Sequence, residues 1–290
     1  MYKIKLLDGA MGTELIKRGE LLPEGIWSAS TNLTNPDLVY KIHKNHIEAG
    51  ATYITTNTFR STPRAFKKMG LSNNDAYIKS RASFNSAIKS AKKASKINKR
   101  IHILGSIAPL EDCYLPSLFP GEKSALKEFQ EIGEWINNAN LSGFLLETMN
   151  SIEETEICLK TISKFNLPIW VSFNLLNSEK IRSGEKFSNA IKMIKKYSVN
   201  CLLINCNPLN RSYNALKILK NNWDNDWGLY PNLGVGEPSP NGIITAYHTN
   251  KDFLNTIQNS IDLGANVIGG CCGVSPKHIN LISKLIKNNL

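Results

Sequence analysis

The sequence predicts a closed (β/α)8 barrel of the TIM type, on three observations. Short apolar, β-branched runs alternate with stretches of helical period eight times along the chain, the pattern of parallel strands joined by crossover helices. The 290 residues suit one such barrel, which occupies about 250 residues as a single domain. Neither a low-complexity linker nor a shift in composition marks a second domain, so residues 1–290 are read as one unit. An open doubly wound sheet is the alternative. The barrel is preferred because eight units are its complement and no Gly-x-Gly-x-x-Gly loop follows the first strand.

Taken in order, Ile4 to Gly12 reads as a short strand ending at Asp8, Gly9 and Gly12. From Asn35-Pro36, apolar residues recur at helical spacing through Leu38, Ile42 and Ile47 until Gly50, a stop signal. Thr52 to Thr58 is β-branched and strand-like. The unit then repeats: helices near 74–98, 124–140, 152–165, 186–197, 212–221 and 251–263 lead to strands Ile101–Ser106, Phe144–Glu147, Ile169–Asn174, Cys201–Cys206, Gly228–Asn232 and Asn266–Gly269. A helix near 276–288 closes the chain.

Composition narrows the class. No segment has signal-peptide order, and no apolar run approaches the roughly 20 residues of a membrane span, so a soluble cytoplasmic protein with no membrane partner is expected. The net charge of +11 would suit nucleic acid. The lysines, however, are scattered over helix surfaces, as at Lys89, Lys92, Lys93, Lys96 and Lys99, so no nucleic-acid partner is expected. Six cysteines without regular close spacing do not form a secreted disulfide framework.

In a barrel, polar residues at the carboxyl ends of strands converge on one mouth. Asp8, Thr56-Asn57, Glu147, Asn174, Cys206, Asn232 and Cys271-Cys272 all fall at such ends. A cysteine pair inside Gly269-Gly270-Cys271-Cys272-Gly273 is a poor packing choice and a good soft-metal ligand pair. On a regular strand the two would face opposite ways, so binding one ion requires the backbone to bend, which the glycines permit. With Cys206, three thiolates would make a tetrahedral zinc site with one open position. The alternative is three small buried hydrophobes. Cys113, Cys158 and Cys201 are read as packing, Cys201 lying an odd number of residues from Cys206 and so on the other face.

These stretches together resemble the homocysteine S-methyltransferase family over nearly the whole chain. The motifs are Leu7-Asp8-Gly9-Ala10-Met11-Gly12-Thr13-Glu14, Thr55-Thr56-Asn57-Thr58-Phe59, Leu146-Glu147-Thr148, Asn205-Cys206, Tyr230-Pro231-Asn232, and Gly269 to Gly273 followed by Pro276, His278 and Ile279. The resemblance implies that Cys206, Cys271 and Cys272 hold Zn2+ and that the L-homocysteine thiolate takes the fourth position. It also implies that Asp8 and Glu147 bind the substrate ammonium, with the Gly9 backbone and Thr56 near its carboxylate. Asn232 is expected beside the metal, where its amide could fill the fourth position before substrate arrives, or could be a plain turn residue. For Asp8 and Glu147 the other readings are a turn residue and a helix N-terminal charge.

The chemistry accounts for those residue types. A free thiol titrates near pH ~8.5 and is mostly protonated at neutral pH, whereas a coordinated thiol is deprotonated. The implied reaction is methyl transfer to L-homocysteine, giving methionine, from a small donor such as S-methylmethionine or S-adenosylmethionine. One departure bears on the donor: Leu233 to Gly242 is longer than the link to a Trp-containing segment in many relatives that use sulfonium donors. Trp27 and His248 are candidates to line a donor pocket, and Leu21 to Leu33 to cover it. The competing readings are a homocysteine-activating module served by separate folate and cobalamin proteins, and a barrel with a structural zinc.

Overall fold

The structure, a computed structural model, describes residues 4–288 apart from 238, 240 and 241. It opens with strand β1 (Lys5–Leu6) and helices α1 (Met11–Lys17), α2 (Thr31–Thr34) and α3 (Pro36–Glu48). Next come β2 (Tyr53–Thr55), α4 (Pro63–Lys67), α5 (Asn73–Ser95), β3 (His102–Ile107), α6 (Glu122–Asn137), β4 (Gly143–Met149) and α7 (Ile152–Ile162). The second half holds β5 (Ile169–Phe173), α8 (Phe187–Ile194), β6 (Cys201–Asn205), α9 (Leu209–Asn222), β7 (Asp226–Tyr230), α10 (Asn250–Leu263), β8 (Val267–Ile268) and α11 (Pro276–Asn288).

The eight strands pair in parallel in the order β1-β8-β7-β6-β5-β4-β3-β2. A parallel bridge between Leu7 and Tyr53 brings β1 to β2 and closes the ring as the expected (β/α)8 barrel. Alternation along each strand sorts the side chains. Leu7, Leu104, Leu145, Trp170, Cys201, Leu203, Tyr230 and Val267 fill the inside. Leu6, Ile54, Ile103, Leu146, Val171, Ile204 and Leu229 face the helices, where α8 contributes Phe187, Ala190, Ile191 and Ile194.

At the amino-terminal end the barrel is tied by a fourfold pattern. The residue before each even strand accepts an N–H near the start of the preceding odd strand: Thr52 Oγ1 from Leu6 (3.2 Å), Ser142 Oγ from Ile103 (3.0 Å), Asn200 Oδ1 from Ile169 (2.9 Å) and Asn266 Oδ1 from Trp227 (3.0 Å). Each bond satisfies a backbone donor where the ladder begins, and so fixes the stagger of a strand pair. Several helices start at a side-chain cap: Asn35 before Pro36, Ser72, Ser151 and Thr249 each accept an N–H from the first turn.

Two expectations need correction. Met11–Lys17 is a helix, absent from the sequence reading because Gly9 and Gly12 there look like the end of a strand. Several strands are shorter than their apolar runs: β2 stops at Thr55 and β8 at Ile268, because the chain bends beyond them to build the mouth. No helix among the described residues is long and apolar enough to cross a membrane.

Candidate metal and substrate site

Cys206 follows directly on β6. Alternation puts Cys201, Leu203 and Asn205 on the inner face, so continued alternation would send Cys206 outward to the helices. Instead its φ is 56°, a left-handed backbone that turns the side chain over the mouth. The conformation costs about 1 kcal/mol or more in a non-glycine residue, and a net of amides holds it. Cys206 N–H reaches Tyr230 O (3.3 Å), and Asn174 Nδ2 donates to Cys206 O (3.1 Å). On either side, Asn205 Oδ1 accepts from Thr148 N and Ser172 Oγ, and Asn207 binds Leu175 N and Asn205 O.

Cys271 and Cys272 lie in the turn after β8, outside strand geometry. Cys271 N–H bonds Pro231 O (2.8 Å), Cys272 N–H bonds Asn232 Oδ1 (3.1 Å), and Gly270 N–H bonds Asp8 O (3.1 Å). The turn is thus stapled to the ends of β7 and β1. Gly273 takes φ 85°, and a Cβ on Gly270 would stand 2.1 Å from Val274 Cγ1, so neither position tolerates a side chain.

The result is three sulfurs within 4.8 Å of one another, the only such metal-ligating group among the described residues. Cys206 and Cys272 Sγ are 3.7 Å apart and all six cysteines are free. Two thiolates on a tetrahedral zinc, with Zn–S about 2.3 Å, stand about 3.8 Å apart, so the donor set and its spacing fit such an ion. Hydrogen bonds from Cys271 and Cys272, and then from Tyr114, hold the Cys206 thiol well below its ordinary range. The hydrogen bonds with Cys206, and burial, push the Cys271 and Cys272 thiols well up in turn, so the negative charge rests on Cys206. Asn232 sits beside it as expected, but its Oδ1 is committed to Cys272 N–H, leaving a buried, unpartnered NH2. An amide NH2 donates hydrogen bonds rather than electron pairs, so in this geometry the group that Asn232 leaves free is a donor.

Two acids share the mouth. Asp8, buried after β1, accepts from Thr55 N (3.0 Å) and Thr55 Oγ1 (3.3 Å). Burial, and then the nearby charge of Glu147, push its carboxyl up to about 8. Glu147, partly buried on the inner face of β4, accepts from Ser106 Oγ. Burial raises it to about 7. The Tyr230 hydroxyl lies beside Glu147 and Ser172 without a bond of good geometry to either. No side-chain cation bonds to either acid among the described residues.

Gly9 completes this corner: a Cβ there would stand 2.5 Å from Val274 O and 2.7 Å from His46 Cε1, so the backbone is bare by necessity. Thr56 is buried, its oxygen accepting from Ser106 N (3.0 Å) and paired with Thr58 Oγ1 (2.8 Å). Since Thr58 donates onward to Ser106 O, Thr56 must be the donor of that pair, and its hydroxyl is spent on the fold. Asn57 is likewise spent, tying Ser28 and Asn32.

Leu233–Val235 runs antiparallel to Ala246–His248 as a hairpin pair, with Gly234 opposite Tyr247, and Tyr247 and Ile244 pack on Gly273 beside the cysteines. Pro238, Pro240 and Asn241 of this segment lie outside the described residues. Trp27, near the mouth as expected, lies over Gly12 and Gly242 with Phe59 at 6.4 Å. His248 closes the hairpin through its N–H to Leu233 O (2.9 Å). Sequence reasoning missed Thr55, Ser106, Tyr114 and Tyr230, ordinary strand and loop residues whose importance is set by where the barrel aims them.

With this geometry in view, comparison with known proteins is direct. The family model described as homocysteine S-methyltransferase matches residues 5–286. Homocysteine S-methyltransferase of Escherichia coli K12 is 27% identical, with 95% of this chain and 93% of that protein covered. Homocysteine S-methyltransferase 1 of Arabidopsis thaliana is 26% identical, with 97% and 93% covered. The Escherichia coli homocysteine methyltransferase MmuM, solved in a metallated form, superposes with a TM-score of 0.82 at 27% identity over 98% of this chain and 96% of that one. A barrel of this topology, three converging cysteines at its mouth and a family match over nearly its full length establish that the chain belongs to the homocysteine S-methyltransferase family and is a methyltransferase.

Proposed function

We propose that the enzyme is zinc-dependent and methylates L-homocysteine to L-methionine, taking the methyl group from a small sulfonium donor, S-methylmethionine or S-adenosylmethionine. The observation that carries the reading is the meeting of a three-sulfur cluster with two acids, Asp8 buried and Glu147 partly so, that no side-chain cation bonds among the described residues. Zinc bound by Cys206, Cys271 and Cys272 would supply coordination that holds the substrate thiol as thiolate at neutral pH. Asp8 and Glu147 anchor the ammonium, which provides the counter-charge their burial otherwise denies them. The Gly9 backbone approaches the substrate carboxylate, and Thr56 holds the end of β2 in place for it. Asn232 donates its free amide hydrogens to sulfur or substrate.

Anchored at one end, homocysteine presents its sulfur in line with the donor methyl. Its sulfur lone pair forms the new S–C bond. The methyl–sulfonium bond breaks with its electron pair staying on the donor sulfur, which leaves as a neutral thioether. No proton moves in this step, so the acids act as anchors and not as general bases. Ile244, Tyr247 and Trp27 cover the donor side and exclude water, and aromatic faces suit a sulfonium cation.

Mixing the purified protein with homocysteine and each donor in turn, and measuring methionine, tests this. Methionine formed from either sulfonium donor is the expected result. The competing module, which needs separate folate and cobalamin proteins, predicts none.

A further inference from the structure

We propose that Tyr114 is a positioning residue that protects the enzyme from its own reaction: its hydroxyl donates a hydrogen bond to Cys206 and so keeps that sulfur from competing for the methyl group. The inference rests on the reading of the three cysteines as metal ligands. The Tyr114 oxygen lies 3.1 Å from Cys206 Sγ. A metal-bound thiolate has no proton to give, so the phenol is the donor.

The residue is fixed at its backbone and its ring. The backbone N–H of Tyr114 bonds Asp112 Oδ1 (2.8 Å), and its backbone O accepts from Arg182 Nε (3.3 Å). The Arg182 guanidinium also lies over the ring, 4.9 Å from the centroid. Arg182 is itself fixed by two bonds to Glu237 (2.5 and 2.9 Å), and Arg211 grips Glu237 Oε1 (2.9 Å). A side chain that only filled space would not need its oxygen aimed at one sulfur.

The chemistry makes protection necessary. The site brings an electrophilic methyl beside four sulfurs, of which three belong to the protein. Methylation of Cys206 would form an Sγ–C bond, turn a thiolate ligand into a weak thioether ligand and end the enzyme's life. A hydrogen bond to a thiolate is strongest while the sulfur keeps its charge and weakens as the S–C bond forms. It therefore raises the barrier to attack by that sulfur alone.

The test compares zinc-loaded wild type, Tyr114→Phe and protein carrying 3-fluorotyrosine at position 114, a more acidic phenol. Each is treated with methyl iodide, whose carbon bonds to sulfur as iodide leaves with its electron pair, and S-methylcysteine is mapped by peptide mass. Cys206 should react about tenfold faster in Tyr114→Phe and more slowly than wild type in the fluorinated protein, with a smaller change at Cys271. In the cobalt(II)-loaded proteins, the sulfur-to-metal charge-transfer band should move to longer wavelength in Tyr114→Phe and to shorter wavelength with fluorotyrosine. A packing role would not order the three proteins in this way. Unchanged Cys206 reactivity and an unchanged band in metal-loaded variants would overturn the proposal. Wild type that takes up no metal would instead overturn the ligand assignment on which it rests.

Discussion

The ammonium-anchoring roles proposed for Asp8 and Glu147 imply a specific dependence of homocysteine binding on pH. In the free site burial raises both carboxyls, to about 8 and about 7, so at neutral pH they are substantially protonated. A group whose folded pKa is raised carries its proton below that value, and an arriving ammonium favours the ionised form, so binding must release protons. Between pH 8 and pH 6, ionising Asp8 becomes about fiftyfold harder and ionising Glu147 about tenfold harder. Together that is a loss of about 4 kcal/mol if both must ionise. The homocysteine Kd should therefore rise steeply as pH falls through this window.

Titration calorimetry in two buffers of different ionisation enthalpy counts the protons released. The substrate thiol also loses a proton, but it does so in every variant and cancels in comparison. Glu147→Gln should flatten the pH dependence by about one decade over this range. At pH 8 it should weaken binding at least about tenfold, or roughly 1.4 kcal/mol, with metal content near normal, and Asp8→Asn should behave likewise. At saturating homocysteine the rate should show no ionisation between pH 6 and 8. The same proton count in wild type and both variants would refute the anchoring roles. So would a variant that binds homocysteine normally and loses only the chemical step.

Three further outcomes follow. Cys206→Ser, Cys271→Ser and Cys272→Ser should each lose zinc and activity, whereas Cys201→Ser, deep among Leu7, Leu203 and Val267, should keep both; metal analysis of the purified proteins decides this. Gly270→Ala places a methyl group within 2.1 Å of Val274 and should lower stability by about 1–3 kcal/mol while reducing zinc affinity, as thermal melting and metal competition would show. His43 and His46 are fully buried without hydrogen-bond partners, and burial lowers them to about 4 and about 3. Because a depressed histidine takes up its proton in the unfolded chain first, their stabilisation is lost as pH falls below about 6.5, by about 2 kcal/mol each at pH 5. His43→Leu should make denaturant stability less dependent on pH between 6.5 and 4, and an unchanged slope would contradict the burial argument.

How far the fold could be read from sequence depended on which signals are local. Eight alternating units are a local pattern repeated, and they translate directly into eight parallel strands. Strand ends were read too long because an apolar run says which residues are buried and not where the ladder stops. Thr56 to Thr58 is as β-branched as Tyr53 to Thr55, yet its hydroxyls bond to Ser106 of the next strand and the chain has already turned. Helix α1 was invisible for the opposite reason. Its buried face of Gly12, Thr13, Glu14 and Leu15 has no apolar period of its own, and it is helical because it packs under Trp27 and offers Thr13 Oγ1 to Gly273 N (3.0 Å).

The site divides along the same line. Its metal candidates were legible because cysteine between glycines is chemically unusual wherever it occurs. The means of bringing the sulfurs together was not, since alternation sends Cys206 away from the mouth and only a left-handed residue reverses it. That reversal is held by Asn174, Asn205 and Asn207, three amides from two strand ends which in sequence resemble turn residues. The same reasoning separates the acids from Thr56. A carboxylate that burial raises and no side-chain cation bonds signals room for a partner, which is the ground for the ligand roles proposed for Asp8 and Glu147. A hydroxyl whose proton and lone pair are both engaged signals none, so Thr56 shapes the site from behind. Residue type could nominate both kinds of group. Telling a group that awaits a ligand from one already satisfied took the hydrogen bonds, which only the folded chain supplies.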